Sequence, residues 1–276
     1  MMDAPDLQHL QELDRGAIVS EVKGGQIRLD ALREIAIGIG ARGGLNKRNG
    51  EIKDRLETHS KHMDRVFDFR PLLISAPAGI SQTTQYYILP PVITEGRNAL
   101  KTVDALEIHA ADKVFKIEAQ AKFVTNPPTW KEYLSQPTQP VETPDATLLP
   151  RDSNERAAWK RWVEEGWKIG YQQADAIFDL NMSRLERDYQ GMLRYKTLLK
   201  QNIVSKPFVA EARLGVVGGG DDLEIDSRQL RITALPLLNT RAAEWKPTAY
   251  AIQQPAPAVV DVKPKAAERL DVRSIR

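Results

Sequence analysis

A chain of 276 residues, 42% hydrophobic and 28% charged, has the composition of a globular protein able to bury a sizeable core. A net charge of +2 leaves no cationic excess to argue for nucleic-acid binding, and the lack of cysteine excludes disulfides, thiolate metal sites and a cysteine nucleophile. The longest apolar runs, such as Ile35–Ala41, fall far short of the ~20 residues that span a bilayer.

Residues 1–26 are polar, close on Gly24-Gly25 and read as a flexible N-terminal segment without the succession of a secretion signal. From Leu29 the apolar spacing is helical: Leu29, Leu32, Ala36, Ile39 and Gly43, then Ile52, Leu56, Met63 and Phe67, predict helix over 28–67. The Gly43-Gly44 pair costs that helix about 1 kcal/mol per residue against alanine, so a break or a close helix contact is expected there. Between Pro71 and Pro91 the chain reads as extended, with strand propensity at Gln85–Leu89 and a short continuation at Val92–Thr94. The doubled proline favours an edge position or a sharp bend.

Phe115–Phe123 alternates apolar odd positions with polar even ones, the pattern of an antiparallel strand with one face on a core. Trp130, Tyr133 and Leu134 suit one helical turn, and the prolines at 137, 140, 144 and 150 mark a surface linker. Asp152, with Glu155 in the capping-box place, opens a second helix over 152–203. Its length predicts either a break near Gly191 or a long rod. Phe208–Val217 reads as extended. Gly218, Gly219 and Gly220 with Asp221-Asp222 form a turn, and Leu223–Ile225 with Leu230–Ala234 reads as a hairpin around Asp226-Ser227. Residues 246–276, with prolines at 247, 255, 257 and 264, read as a disordered tail. The implied fold is α+β and predominantly helical: a single domain over 27–245, its long helices packed on a small antiparallel sheet drawn from 86–94, 113–124 and 208–235.

The strongest chemical pattern is one of packing. Gly166 and Gly170 lie one helical turn apart among Trp159, Trp162 and Trp167, and Gly40 and Gly44 repeat the spacing. Small residues on one line of a helix admit a second backbone, while the rings fill the space beside it. The two segments are therefore expected to approach each other closely.

Signals for chemistry are weaker. Gly218–Gly220 lacks the Lys and Ser/Thr of a phosphate loop, and the two aspartates that follow would repel phosphate. His59 and His62, with Asp64 near, could share a helix face, but only His9 and His109 remain to complete a metal site. No Gly-x-Ser-x-Gly elbow occurs, and adjacent Glu164 and Glu165 diverge around a helix. No catalytic, cofactor-binding or metal-ligating residue is assigned, although carboxylates distant in sequence can still meet in a fold.

Several separated blocks resemble the DotC/TraI family of type IVB secretion and conjugation systems: Ala41-Arg-Gly-Gly-Leu45, Val66-Phe-Asp-Phe-Arg-Pro-Leu-Leu73, Pro90-Pro-Val-Ile-Thr-Glu95, Pro127-Pro-Thr-Trp130 with Tyr133-Leu134, Leu148-Leu-Pro150, Gly166-Trp167 through Gln173-Ala-Asp175, Gly191-Met-Leu-Arg-Tyr195, and Gly215-Val-Val-Gly-Gly-Gly-Asp221. Each block is weak alone; their order and number make the likeness specific over about Ile27–Trp245. The resemblance implies a non-enzymatic lipoprotein at the periplasmic face of the outer membrane of a Gram-negative bacterium. It implies DotD-like and DotH-like partners in a ring-shaped hetero-oligomer, help in bringing the DotH-like protein to the outer membrane, and no direct contact with nucleic acid. The leader and lipid-bearing cysteine it implies for the natural precursor are absent from this chain. Two rival readings are a periplasmic cell-wall enzyme, which needs two converging carboxylates in a cleft, and a cytosolic helical adaptor.

Overall fold

A computed structural model describes residues 6–13, 26–74, 86–102, 107–136, 138 and 140–246. The expected tail lies outside the described residues from 247 on, as do most of the N-terminal segment and the start of the strand at Gln85. The helices are α1 (Leu7–Gln11), α2 (Gln26–Thr58), α3 (Ser60–Val66), α4 (Trp130–Leu134) and α5 (Ser153–Lys200). The strands are β1 (Tyr87–Leu89), β2 (Val92–Thr102), β3 (Ile108–Ala119), β4 (Lys122–Val124), β5 (Phe208–Gly218) and β6 (Leu223–Ala234). The fold class is α+β with helix dominant. The described residues divide into two compact units, one of those up to Met63 with those in Lys131–Ser183, the other of those in Asp64–Trp130 with 184–246.

The first unit is helical. Its core gathers Leu10 of α1, Leu32, Ala36 and Ile39 of α2, Leu149, and Trp159 and Val163 of α5. The α5 N-terminus is fixed twice. Asp152 Oδ1 accepts from the Glu155 amide at 2.7 Å, and Glu155 Oε2 accepts from the Arg151 amide at 2.8 Å, one residue earlier than the usual reciprocal bond. Glu155 also pairs with Arg28 on α2 at 3.0 Å, and Arg28 donates to the carbonyls of Thr147 and Leu149. The supposed linker before α5 is thereby held to α2.

The helix expected over 28–67 is interrupted. α2 stops at Thr58, and α3 starts two residues later. Thr58 Oγ1 bonds back to the Asp54 carbonyl and His59 Nδ1 sits 2.9 Å from the Arg55 carbonyl, so side chains compete with the helical ladder there.

In the second unit the described strands form three separate antiparallel pairs, β1–β4, β2–β3 and β5–β6, where one small sheet was expected. The reason lies in Pro90 and Pro91. Leu89 pairs with Lys122 and Val92 with Ala119, so the two prolines face Gln120 and Ala121 across the ladder. Neither proline can donate a ladder bond, and both strands break there. The strand expected over 115–123 is thus divided between β3 and β4. Its alternation survives in part: Phe115, Ile117 and Phe123 are half-buried and Ala121 is buried, while Ala119, at the end of β3, is exposed.

β2 and β3 also run much further than their patterning indicates, pairing Gly96 with Val114 and on to Thr102 with Ile108. The last part of α5 packs on this pair. Gly191 lies against Val92 and Ile93, with Ile93 amide nitrogen 3.0 Å from where a Cβ would stand. Gly191 is therefore a packing position inside an unbroken 48-residue helix and not the point where it bends.

The hairpin placed around Asp226-Ser227 is corrected. The turn lies at 219–222, closed by the Gly219 amide on the Asp222 carbonyl at 2.9 Å, and β6 runs straight through Asp226. Asp226 has φ +57° and Gly215, which pairs with Ser227, has φ +72°; the register slips on both sides of Gly215. The turn-like residues mark a bulge, which a strand absorbs without reversing.

Candidate functional site

The glycines of α2 and α5 face one another within the first unit. A Cβ built on Gly40 would overlap the Val163 carbonyl oxygen and stand 3.0 Å from the Trp167 amide nitrogen. One on Gly44 would meet the Trp167 carbonyl, and one on Gly166 the Ile37 carbonyl. One on Gly170 would overlap the Ala41 carbonyl and fall 2.7 Å from the Leu45 amide nitrogen. Each helix thus offers bare backbone at two successive turns, and each meets bare backbone. A side chain on either line would clash with the facing backbone; without one the backbones come close enough to gain the dispersion that fades steeply with distance.

The tryptophans frame it. Trp159 is fully buried and donates its Nε1–H to the Leu10 carbonyl at 3.1 Å, holding α1 to α5. Trp162 and Trp167 are half-buried and pack on the same core. Trp167 stacks on Tyr171, with centroids 6.1 Å apart and planes 29° from parallel. Gly43 leaves room for both the Leu10 methyl and the Trp167 ring.

Just beyond Gly44 lies a polar cluster that sequence pattern did not indicate. Arg48 is 5% exposed. Its Nε donates to Asp175 Oδ1 and its Nη1 to Glu51 Oε2, both at 2.9 Å, and its guanidinium lies 5.6 Å from the centre of the Tyr171 ring. Tyr171 completes the set by donating its hydroxyl to Glu51 Oε1 at 2.6 Å. Burial draws the Glu51 carboxyl upward, but the Tyr171 and Arg48 hydrogen bonds outweigh it and hold Glu51 below the ordinary glutamate value. Burial, then the hydrogen bond to Glu51 and the charge of that carboxylate, push Tyr171 up to about 12.

Two carboxylates do converge here, yet both accept from Arg48, and Glu51 also accepts from Tyr171, so the cluster ties α2 to α5 through a buried ion pair. The available signal was spacing: Arg48 and Glu51 are three apart on α2, Tyr171 and Asp175 four apart on α5.

The remaining candidates scatter. His59 faces the Arg55 carbonyl, and among the described residues no three His, Cys, Asp or Glu side chains gather closely enough to hold a metal ion. Glu164 pairs with Lys168 on the exposed face of α5, and Glu165 with Arg33 at 3.8 Å. Gly218 ends β5, and Gly219 and Gly220 make the hairpin turn. No described helix is long and apolar enough to cross a membrane.

These features define a class: a helix-dominated α+β protein with one unit organised around close interhelical packing and another carrying long two-stranded ribbons. Residues 26–247 match the family model for the TraI proteins of type IV secretory systems, described as conjugal DNA–protein transfer, and the chain belongs to that family. It is a component of a type IV secretion or conjugation apparatus. No curated protein matches the chain significantly.

Proposed function

We propose that this chain is a structural subunit of the outer-membrane core complex of a type IVB secretion or conjugation system, working at the periplasmic face of the outer membrane of a Gram-negative bacterium. It acts by binding other proteins and carries out no bond-making step. Its partners are DotD-like and DotH-like subunits in a ring-shaped hetero-oligomer, and its task is to bring the DotH-like subunit to the outer membrane. The lipid anchor belongs to the natural precursor.

The observation that carries this reading is the apolar surface on the two long ribbons. Leu100, Ile108 and Val114 on β2–β3, and Phe208, Leu214, Val216, Val217, Leu223 and Ile225 on β5–β6, are all exposed. Exposed apolar side chains grouped in this way mark surfaces that meet other proteins. The family supplies the context in which such partners exist. Obligate assemblies bury on the order of 2,000 Å² or more at each contact, an area these ribbons can help to supply.

The test is purification of the tagged full-length protein from cells that make the whole system. DotH-like and DotD-like subunits are expected to copurify, and deletion of the gene is expected to remove the DotH-like subunit from the outer-membrane fraction. Recovery of the protein alone, with that fraction unchanged by the deletion, refutes the reading.

A further inference from the structure

The β5–β6 hairpin has two halves of different character. Its base is secured: Val209 is buried with Ile88 and Ala121, and Leu230 and Ile232 pack on that cluster. From Ala212 through Asp226 every residue is exposed. A two-stranded ribbon with no apolar layer against it is marginal in water, so this half gains from being covered.

Leu223 and Ile225 are two apart on β6 and share a face. Val217 stands opposite Glu224, which sets Val216 on the face with Leu223 and Ile225, and Val217 on the reverse with Glu224. On the apolar face Val216 is 64% exposed, Leu223 68% and Ile225 72%. The tip and reverse face carry Asp221, Asp222, Glu224 and Asp226, and no lysine or arginine occurs from Leu214 through Ser227.

Two features narrow the occupant. The left-handed residues Gly215 and Asp226 disturb the ladder on both strands, and bulged edges resist the addition of a further strand. The face is what the ribbon offers. The acidic tip, Asp221 and Asp222, borders that face, and no lysine or arginine within the segment offsets it, so a second copy presents this face with no opposite charge. The occupant therefore combines an apolar strip with positive charge.

We propose that residues 214–227 form a docking element for a different subunit of the secretion apparatus, whose receiving surface is an apolar strip bordered by lysine or arginine. The proposal rests on the binding role given above, narrows its surface to one segment and adds the chemistry of the partner. Apolar burial holds the complex, and the acidic border steers its approach and selects the partner.

The experiment places the photo-crosslinking residue p-benzoylphenylalanine at Ile225 of the full chain, in cells carrying the complete secretion system, with a second strain labelled at Leu180 as a control. The expected result is an adduct from position 225 to another secretion-system subunit, mapped to an apolar segment flanked by lysine or arginine and absent from position 180. Its yield should fall at least tenfold in the triple variant D221N/D222N/D226N, while the melting temperature of that purified variant stays unchanged. An adduct to a second copy, to another part of the same chain or to lipid overturns the proposal, as does an adduct insensitive to the triple substitution. If partner subunits still copurify but position 225 captures none, the docking proposal fails and the binding role stands. If nothing copurifies, both fail.

Discussion

The carbonyl oxygen of Ala41 on α2 occupies the space that a side chain on Gly170 of α5 would need. The neighbour is backbone, which cannot rotate aside, so even one methyl group must push the helices apart. Gly170→Ala and Gly166→Ala are each expected to destabilise the protein by about 1–3 kcal/mol, the usual cost of overpacking. Gly38 and Gly50 on α2 have nothing within 4 Å of a built Cβ. There alanine should stabilise by about 0.4–1 kcal/mol, because it restricts the unfolded chain. Urea unfolding of the four variants checks both signs. An equal effect at all four positions would remove the seam as the explanation.

How much of this was legible beforehand follows from what each residue signals locally. The seam was legible because glycine at four-residue spacing among tryptophans has few other uses. The α5 start was legible from Asp152 and Glu155. The Arg48 cluster was not, since a helix reading Asn46-Lys-Arg-Asn-Gly-Glu51 looks like a solvated face until Tyr171 and Asp175 cover it. The long outer part of β2–β3 was missed because its ladder forms with little burial, leaving no alternation to read. The Asp226-Ser227 pair misled because a bulge and a turn demand the same left-handed backbone.

The Arg48 cluster should behave as a buried ion pair. Asp175→Ala leaves a guanidinium that is nearly out of solvent short of a partner, and a loss of about 3 kcal/mol is expected. The exposed pair Lys53–Glu57, 3.9 Å apart on α2, serves as the contrast, and breaking it should cost about 0.5 kcal/mol or less. Thermal and urea denaturation of the two variants settle the comparison. Similar losses from both would mean that Arg48 is solvated in solution.

Alkaline pH should unfold the protein in a defined window. Tyr171 and Tyr195 are each raised from 10.0 to about 12, Tyr195 through burial, and Tyr171 through burial together with its bond to Glu51. A pKa raised on folding means that the native state favours the neutral phenol. The stability linked to it is therefore complete below pH 10.0 and is lost as pH climbs from 10.0 towards 12. Absorbance of tyrosinate followed beside circular dichroism should show these two groups titrating late and together with loss of structure. Tyr171→Phe is expected to weaken the alkaline dependence. Early titration of all tyrosines with the helices intact would contradict the buried positions.

The bond from Trp159 Nε1 to the Leu10 carbonyl, at 3.1 Å, ties a short helix to the main body. α1 has five residues, too few to be stable alone in water, so it depends on Leu10 lying in the core, on Leu7 and Leu13 packed against that core, and on this hydrogen bond. Trp159→Phe keeps a ring in the site but removes the donor and leaves a buried carbonyl without it, at a cost of about 1–3 kcal/mol. Part of that loss should be local. Amide exchange over residues 7–11 is expected to accelerate well beyond the rise seen in the centre of α5, because α1 can detach while the α2–α5 seam stays closed. Leu10→Ala should reproduce the same pattern through the apolar side of the contact. Uniform acceleration across both helices in either variant would show that α1 folds as part of the seam and not as a strap laid over it.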